Sequence, residues 1–306
     1  MVLEHIFPED WLEKKGRYAF ILGIGYSIVG VLLASILFPG DPALVAVAFT
    51  SMLLLPELYK IFSIEERKES MEQKVTMRNL WKDDFDIVRI YVFLFLGILL
   101  VYSVGALMMP QMQSNSLFRE QLEIRFHSDL PVGDVVAGSG GLESSFWAKD
   151  ITWDWDLFSG LLSNNLLVLI ACFIMALLTG DGAIFLITWN ASVWGTIFGI
   201  TAKGAGTFIG SNPFYIFGLV FLIVFPHMMI EGISYFLAAI SGSVISKDVI
   251  LEKFASARFF EVFSFNLYLL LVGLGFLLLG AFVETFVLKN VAIYQEIIRL
   301  SMLAFA

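Results

Sequence analysis

The chain is poor in the residues from which most catalytic and metal sites are built. Its 306 residues include one cysteine and three histidines, and only 15% are charged. A single thiol, Cys172, excludes an internal disulfide and cysteine-based metal motifs, and its apolar surroundings predict a small buried residue. The net charge of −9 argues against nucleic acid as a partner, because binding it needs a basic face. No Ser/His/Asp set, catalytic carboxylate pair or phosphate-binding loop is recognisable, so the sequence predicts neither an enzyme nor a cofactor.

Apolar residues are abundant instead. They make up 58% of the chain, with 30 phenylalanines, against about 45–50% in soluble domains. They fall in blocks near the roughly 20 residues that cross a bilayer as a helix. The sequence therefore predicts an all-α, polytopic transmembrane helical bundle of about seven spans in the cell membrane, with the lipid bilayer as its surroundings. The predicted spans are 19–38, 43–55 with a helix able to continue past Pro56, 87–109, 158–178, 183–200, 214–245 and 260–287.

The sixth predicted span leaves an alternative open. The sixth span, 214–245, is longer than one crossing needs and contains Pro226, so it either crosses once or is broken or re-entrant. The glycine-rich stretch TAKGAGTFIGSNP, residues 201–213, predicts a linker before it.

Three regions follow along the chain. Residues 1–86 are predicted to hold an interfacial segment, a transmembrane hairpin and a charged loop. Residues 87–290 form the main membrane domain, and the tail 291–306 has the mixed apolar and charged spacing of an interfacial helix.

The distribution of Lys and Arg predicts the orientation. These residues are concentrated before the first span and in the 57–86 segment, which places the N-terminus in the cytoplasm and the 110–157 loop outside. Trp153 and Trp155 in that loop are typical of an aromatic belt at the membrane surface. The alternative is that they form a docking surface for an extracytoplasmic envelope protein.

Polar side chains inside the spans mark a candidate site. Such groups are costly in a membrane and usually face the protein interior, where they find partners. The i, i+4 spacing places His227 and Glu231 on one helix face, so His227 is the nearest partner expected for Glu231. Two ligands are fewer than the three that a zinc site needs, and no metal is predicted. The predicted intramembrane polar cluster comprises Asn164, Asn165, Asn190, His227 and Glu231.

Small residues and one proline are predicted to break or pack the same helices. Pro226 frees a carbonyl near Leu222, to which an Asn of a neighbouring span could donate. Gly195 and Gly199 form a small-residue face that suits close helix packing or a homodimer seam. The full set of predicted break and packing residues is Pro226, Gly180, Gly182, Gly195, Gly199 and Gly242.

These features occur in an order typical of one family. Two asparagines in one span, a GDG turn, a span with Asn and spaced glycines, and a Pro-His-x-x-x-Glu helix resemble the stage II sporulation protein M family. The clear match covers roughly 158–246, and the first two spans look like an added hairpin. The chain is similar to relatives from organisms that form no spores, including archaea. The residues that carry the resemblance are Asn164, Asn165, Gly180, Gly182, Asn190, Gly195, Gly199, Pro226, His227, Glu231 and Gly242.

The resemblance implies a membrane scaffold. The family's named member holds peptidoglycan-degrading enzymes at the septum, and the scaffold idea is carried over here without the sporulation process. The function expected is therefore a non-catalytic scaffold or assembly partner for envelope proteins. The alternative is a channel or transporter that uses the Asn/His/Glu cluster to pass an ion or small solute.

Overall fold

Regular structure is helical throughout the described part of the chain. The computed structural model describes residues 16–71, 77–127, 146–251 and 256–304. Seven of the helices in these ranges are long and apolar enough to cross a membrane. The predicted fold class, an all-α polytopic bundle with seven spans, is confirmed.

The helices follow one another with short connections. The seven long ones are α1 (Gly16–Leu37), α2 (Pro42–Met71), α3 (Met77–Met108), α6 (Trp155–Thr179), α7 (Ala183–Ile209), α8 (Pro213–Leu251) and α9 (Ala257–Asn290). Three shorter helices are α4 (Gln111–Leu117), α5 (Arg119–His127) and α10 (Ala292–Leu303). Residue 86, the predicted end of the N-terminal region, lies within α3.

Helix α7 is the centre of the bundle. It packs against α3 and α8, and also contacts α2, α5, α6 and α10. Helix α1 packs on α2 and α3 on one side of it, and α6, α8 and α9 pack on one another on the other. One hydrophobic core runs through both groups, from Ala19 to Leu300.

Glycines let several of these helices touch backbone to backbone. Gly23 of α1 and Gly97 of α3 face each other, so a methyl group on either would lie about 2.5 Å from a carbonyl oxygen of the other helix. Gly195 and Gly199 of α7 face α3 in the same way, and Gly242 of α8 faces α6. The small-residue face of α7 is thus filled within one chain, and the homodimer stays a prediction.

Two helices are more continuous than their prolines and glycines indicate. Helix α8 runs unbroken through Pro226, so the sixth span is neither broken nor re-entrant. The linker predicted for 201–213 is wrong, because α7 continues to Ile209 and only residues 210–212 separate it from α8. Inside a bilayer the backbone has no water to bond, which favours helix even where glycine and proline would break it in solution.

Several segments gather at one end of the bundle, here called the loop end. It carries the turn at residues 38–41, helix α4, the first residues of α5 and of α10, and residues 146–154. Beyond its start, α5 runs into the bundle, because Gln121 reaches Ser192 in the turn-end half of α7. The opposite end, called the turn end, carries residues 180–182 between α6 and α7. Seven crossings place the start of α1 at the turn end and α10 at the loop end, and the loop end is the one predicted to be extracytoplasmic.

Candidate functional site

Two carboxyl groups meet in the interior of the bundle. Glu231 of α8 lies against Glu284 of α9, and Glu284 also lies beside Asn165 of α6. Three helices that are far apart in sequence therefore each contribute one polar side chain. These residues, Asn165, Glu231 and Glu284, are called the carboxyl cluster below.

Gly280 makes room for this arrangement. A methyl group at residue 280 would lie 2.5 Å from Glu231 Cγ and 3.3 Å from its Oε1. Gly280 precedes Glu284 by one helical turn, so both lie on the face of α9 that meets α8. The sequence GAFVE, residues 280–284, thus provides a gap for one carboxyl group and supplies the second beside it.

The carboxyl cluster lies deep along the helices. Asn165 is about 16 Å from Asp154, the N-cap residue of α6, at 1.5 Å per residue. Glu284 is about 8 Å from Lys289, the residue that pairs with Asp154, so the cluster lies between about one quarter and one half of the way across a hydrocarbon core about 30 Å thick. Glu231 is 1% exposed and Asn165 8%, and Glu284 is partly exposed but keeps an enclosed Oε2 oxygen.

His227 is not the partner of Glu231. Its imidazole faces Trp194 of α7, with 5.8 Å between the ring centroids. One i, i+4 step moves about 6 Å along a helix axis, and α8 is enclosed by different helices at the two heights. The His227–Glu231 pair expected from spacing is replaced by a contact between two acidic residues on different helices.

The remaining asparagines of the predicted cluster lie elsewhere. Asn164 is exposed and donates to Asn165 Oδ1 at 3.4 Å. Asn190 donates to the carbonyl of Leu186 in its own helix at 2.8 Å, so it does not serve the carbonyl of Leu222. Of the five predicted residues, the structure brings together Asn165 and Glu231.

Glu284 was missed by the sequence reasoning. The signal was present, because Glu284 is an acidic residue inside the long apolar stretch LLLGAFVETFVL. Intramembrane acidic residues are rare enough to mark a site by themselves.

The GDG turn forms a second joint, at the turn end. Gly180 has a φ of +79°, which favours glycine, and its carbonyl accepts a hydrogen bond from Ser243 of α8. Lys247 Nζ lies 3.9 Å from Asp181 Oδ1 in the same turn. Gly182 caps the start of α7, and its N–H donates to Thr179 Oγ1 at 3.0 Å. The connection between α6 and α7 is thus held by α8.

The two tryptophans of the outer segment have different surroundings. Trp153 packs on Phe282 of α9 with 4.7 Å between ring centroids, while Trp155 is 72% exposed. Trp153 is therefore part of the packing of the loop end, and Trp155 presents its ring outward.

The chemistry open to the carboxyl cluster is that of oxygen ligands. Two adjacent carboxyl groups can hold a proton or a cation between them, and the Asn165 amide can donate to one of them. Within the described residues, no group of three or more His, Cys, Asp or Glu is arranged to hold a metal ion.

Comparison with known proteins agrees with the resemblance in the sequence. The model of one family, described as stage II sporulation protein M, matches residues 19–287, which includes α1 and α2. No curated protein and no solved structure matches the chain. The chain, a multi-pass membrane protein, therefore belongs to the stage II sporulation protein M family.

Proposed function

We propose that this protein is a non-catalytic membrane scaffold that binds a cell-envelope protein at its loop end. The observation that carries the proposal is that three separate segments are fastened onto that end of the bundle. They are helices α4 and α5, residues 146–154, and helix α10. A rigid surface built from distant parts of a chain is what a docking platform needs, because pre-ordered surfaces lose little entropy on binding.

Helices α4 and α5 are packed into the bundle rather than extended away from it. Phe118, between them, is buried against Tyr102 of α3 with 5.5 Å between ring centroids. Gln121 of α5 is fully buried and donates to Ser192 of α7 at 3.3 Å. The first part of the 110–157 loop is thus a fixed part of the membrane domain.

Residues 146–154 are fastened to the end of α9. The Asn290 side chain bonds both backbone groups of Thr152, and the Ala148 N–H donates to the Asn290 carbonyl at 2.8 Å. The segment nevertheless keeps apolar side chains exposed, among them Trp147, Ile151 and Trp155. Exposed aromatic residues on a fixed backbone are typical of binding hot spots.

Co-purification from native membranes tests the scaffold function. The full-length protein would be crosslinked, isolated and compared with a variant that combines Trp147→Ser, Ile151→Ser and Trp155→Ser. The matched control is Phe260→Ser, an exposed aromatic residue near the turn end. We expect an envelope protein to be recovered with the parent and the control and lost from the triple variant. Recovery of the same proteins with all three would refute the proposal.

A channel or transporter is the second candidate, favoured by the carboxyl cluster inside the spans. It predicts that the purified protein in liposomes passes an ion or small solute, and that Glu231→Gln abolishes the flux. Reproducible flux with this dependence would replace the scaffold as the primary function. Liposomes that stay tight would remove the second candidate.

A further inference from the structure

The carboxyl cluster presents an unbalanced charge. The groups that act on the Glu231 and Glu284 carboxyls are each other and Asn165, and no basic side chain is among them. Two carboxylates enclosed side by side repel each other and lose their hydration, which costs several kcal/mol per ion in proteins. Something that carries positive charge must therefore accompany them.

The atoms of the cluster are free to receive such a charge. Across the part of the chain that the structure describes, hydrogen-bond partners are lacking for two enclosed carboxyl oxygens, Glu231 Oε1 and Glu284 Oε2. Carboxylates are acceptors only, so neither can donate to the other without an added proton. Asn165 is nine-tenths buried and neutral, and because its Oδ1 accepts from Asn164, it faces Glu284 with its Nδ2 donor.

We propose that Glu231 and Glu284 form an intramembrane site that binds one monovalent alkali cation in exchange for a proton, with Asn165 as the residue that positions Glu284. When both carboxyls are deprotonated, the cation lies between them and the amide donates to Glu284. When the cation leaves, a proton takes its place and lets one carboxyl donate to the other. The charge of the site is the same in both forms, because one positive charge replaces another.

The side chains that face the site from the surrounding helices supply no positive charge of their own. From α6 it is faced by Asn165, from α9 by Glu284, and within α8 by Tyr235. None of these groups carries a positive charge. His227 of α8, the nearest imidazole in sequence, faces Trp194 instead and is not a counter-charge.

The site is independent of the scaffold function and does not require transport. A cation held here would brace α6, α8 and α9 against one another in a scaffold, and it would be the bound substrate in a transporter. Cation binding to the detergent-solubilised protein tests whether the site exists. Cation flux in liposomes tests separately whether the protein transports the cation.

Carbodiimide labelling reports the occupancy of the site. A hydrophobic carbodiimide reacts with protonated carboxyl groups inside membrane proteins, and mass mapping locates the adduct. We expect labelling of Glu231 or Glu284 in choline chloride, and a severalfold slower reaction when NaCl or KCl replaces choline at equal ionic strength. Raising the pH should slow labelling and lower the cation concentration needed for protection.

Variants make the outcome decisive. Glu231→Gln and Glu284→Gln should each abolish the protection by cation, and Asn165→Ala should weaken it. Glu261→Gln, an exposed acidic residue on α9, is the matched control and should behave as the parent. Thermal unfolding gives a second readout, because an alkali cation should raise the Tm of the parent and of Glu261→Gln only.

Two results would overturn the proposal. One is labelling and Tm that do not respond to either alkali cation at any concentration tested. The other is protection by Ca²⁺ alone, which would assign the cluster to a divalent ion.

Discussion

Lys289 Nζ, in the last turn of α9, lies 2.7 Å from Asp154 Oδ2, the side chain that caps the start of α6. The same carboxylate accepts the Leu157 N–H at 3.0 Å. One aspartate therefore ends a loop segment, begins a helix and joins that helix to α9. Because α9 and α6 also meet at the carboxyl cluster, this pair sets their spacing at the loop end.

The Asp154 contacts predict a dependence on pH. The Leu157 N–H and then the Lys289 ammonium hold the pKa of Asp154 below its usual value. A lowered pKa in the folded state means that the contact stabilises the fold above the usual value and is lost as pH falls through the lowered one. We expect hydrogen-exchange protection of residues 146–158, corrected for intrinsic rates, to drop below about pH 4.

Two variants separate the ion pair from the helix cap. Asp154→Asn keeps a capping oxygen and loses the charge, so its protection should be lower at neutral pH and less dependent on pH. Asp156→Asn, in the first turn of the same helix, is the control. An Asp154→Asn profile that matches the parent at every pH would contradict this account.

Close packing of α7 on α3 predicts an asymmetry between two glycines. A methyl group at residue 199 would lie 2.6 Å from the Ser103 carbonyl oxygen and 2.7 Å from Ala106 Cβ, so Gly199→Ala should destabilise by about 1–3 kcal/mol. Gly275→Ala on α9 meets nothing within 4 Å and should be neutral or slightly stabilising. Unfolding free energies from denaturation in mixed micelles measure both, and equal effects would refute the packing.

The joint at the turn end predicts a smaller loss. Ser243→Ala removes the donor to the Gly180 carbonyl and should destabilise by about 1 kcal/mol. Ser159→Ala, an exposed serine that bonds within its own helix, is the comparison and should stay within about 0.5 kcal/mol of the parent. A Ser243→Ala protein as stable as the Ser159→Ala protein would show that the α6–α7 turn does not depend on α8.

The predicted orientation can be read with single cysteines. Cys172→Ser removes the only native thiol, and Gly40→Cys and Asn212→Cys then place thiols in turns at the loop end. We expect an impermeant maleimide added to intact cells to label both. Thr179→Cys, an exposed position at the turn end, should be labelled only after the cells are opened, and the reverse pattern would invert the orientation.

The membrane spans could be predicted from the sequence because their length and apolar composition determine them. The points at which helices break could not be predicted, since Pro226 and the glycines of 201–209 are helix breakers in water but lie inside continuous helices here. The bilayer removes the alternative hydrogen-bond partners that would compete with a helix.

The candidate site was predictable only in part, because side-chain pairing depends on which helices are neighbours. Glu231 and Asn165 were identified as costly polar groups, which is a property of single positions. The contact with Glu284 depends on α8 lying against α9, and periodicity carries no information on that. The i, i+4 rule therefore assigned Glu231 to the partner within reach along the sequence, His227, when its actual partner comes from α9.

Asn290 shows how one side chain can satisfy the backbone of a loop at the end of a membrane bundle. Its Oδ1 accepts the Thr152 N–H at 2.7 Å, and its Nδ2 donates to the Thr152 carbonyl at 3.0 Å. One side-chain amide thus satisfies both backbone groups of Thr152, as the neighbouring strand of a β-ladder would. A carboxylate at residue 290 would supply the acceptor without the donor, and an alanine would supply neither. The Asn290 amide therefore does for Thr152 what the backbone of an adjacent strand would do, and the loop ends on α9 without a strand beside it.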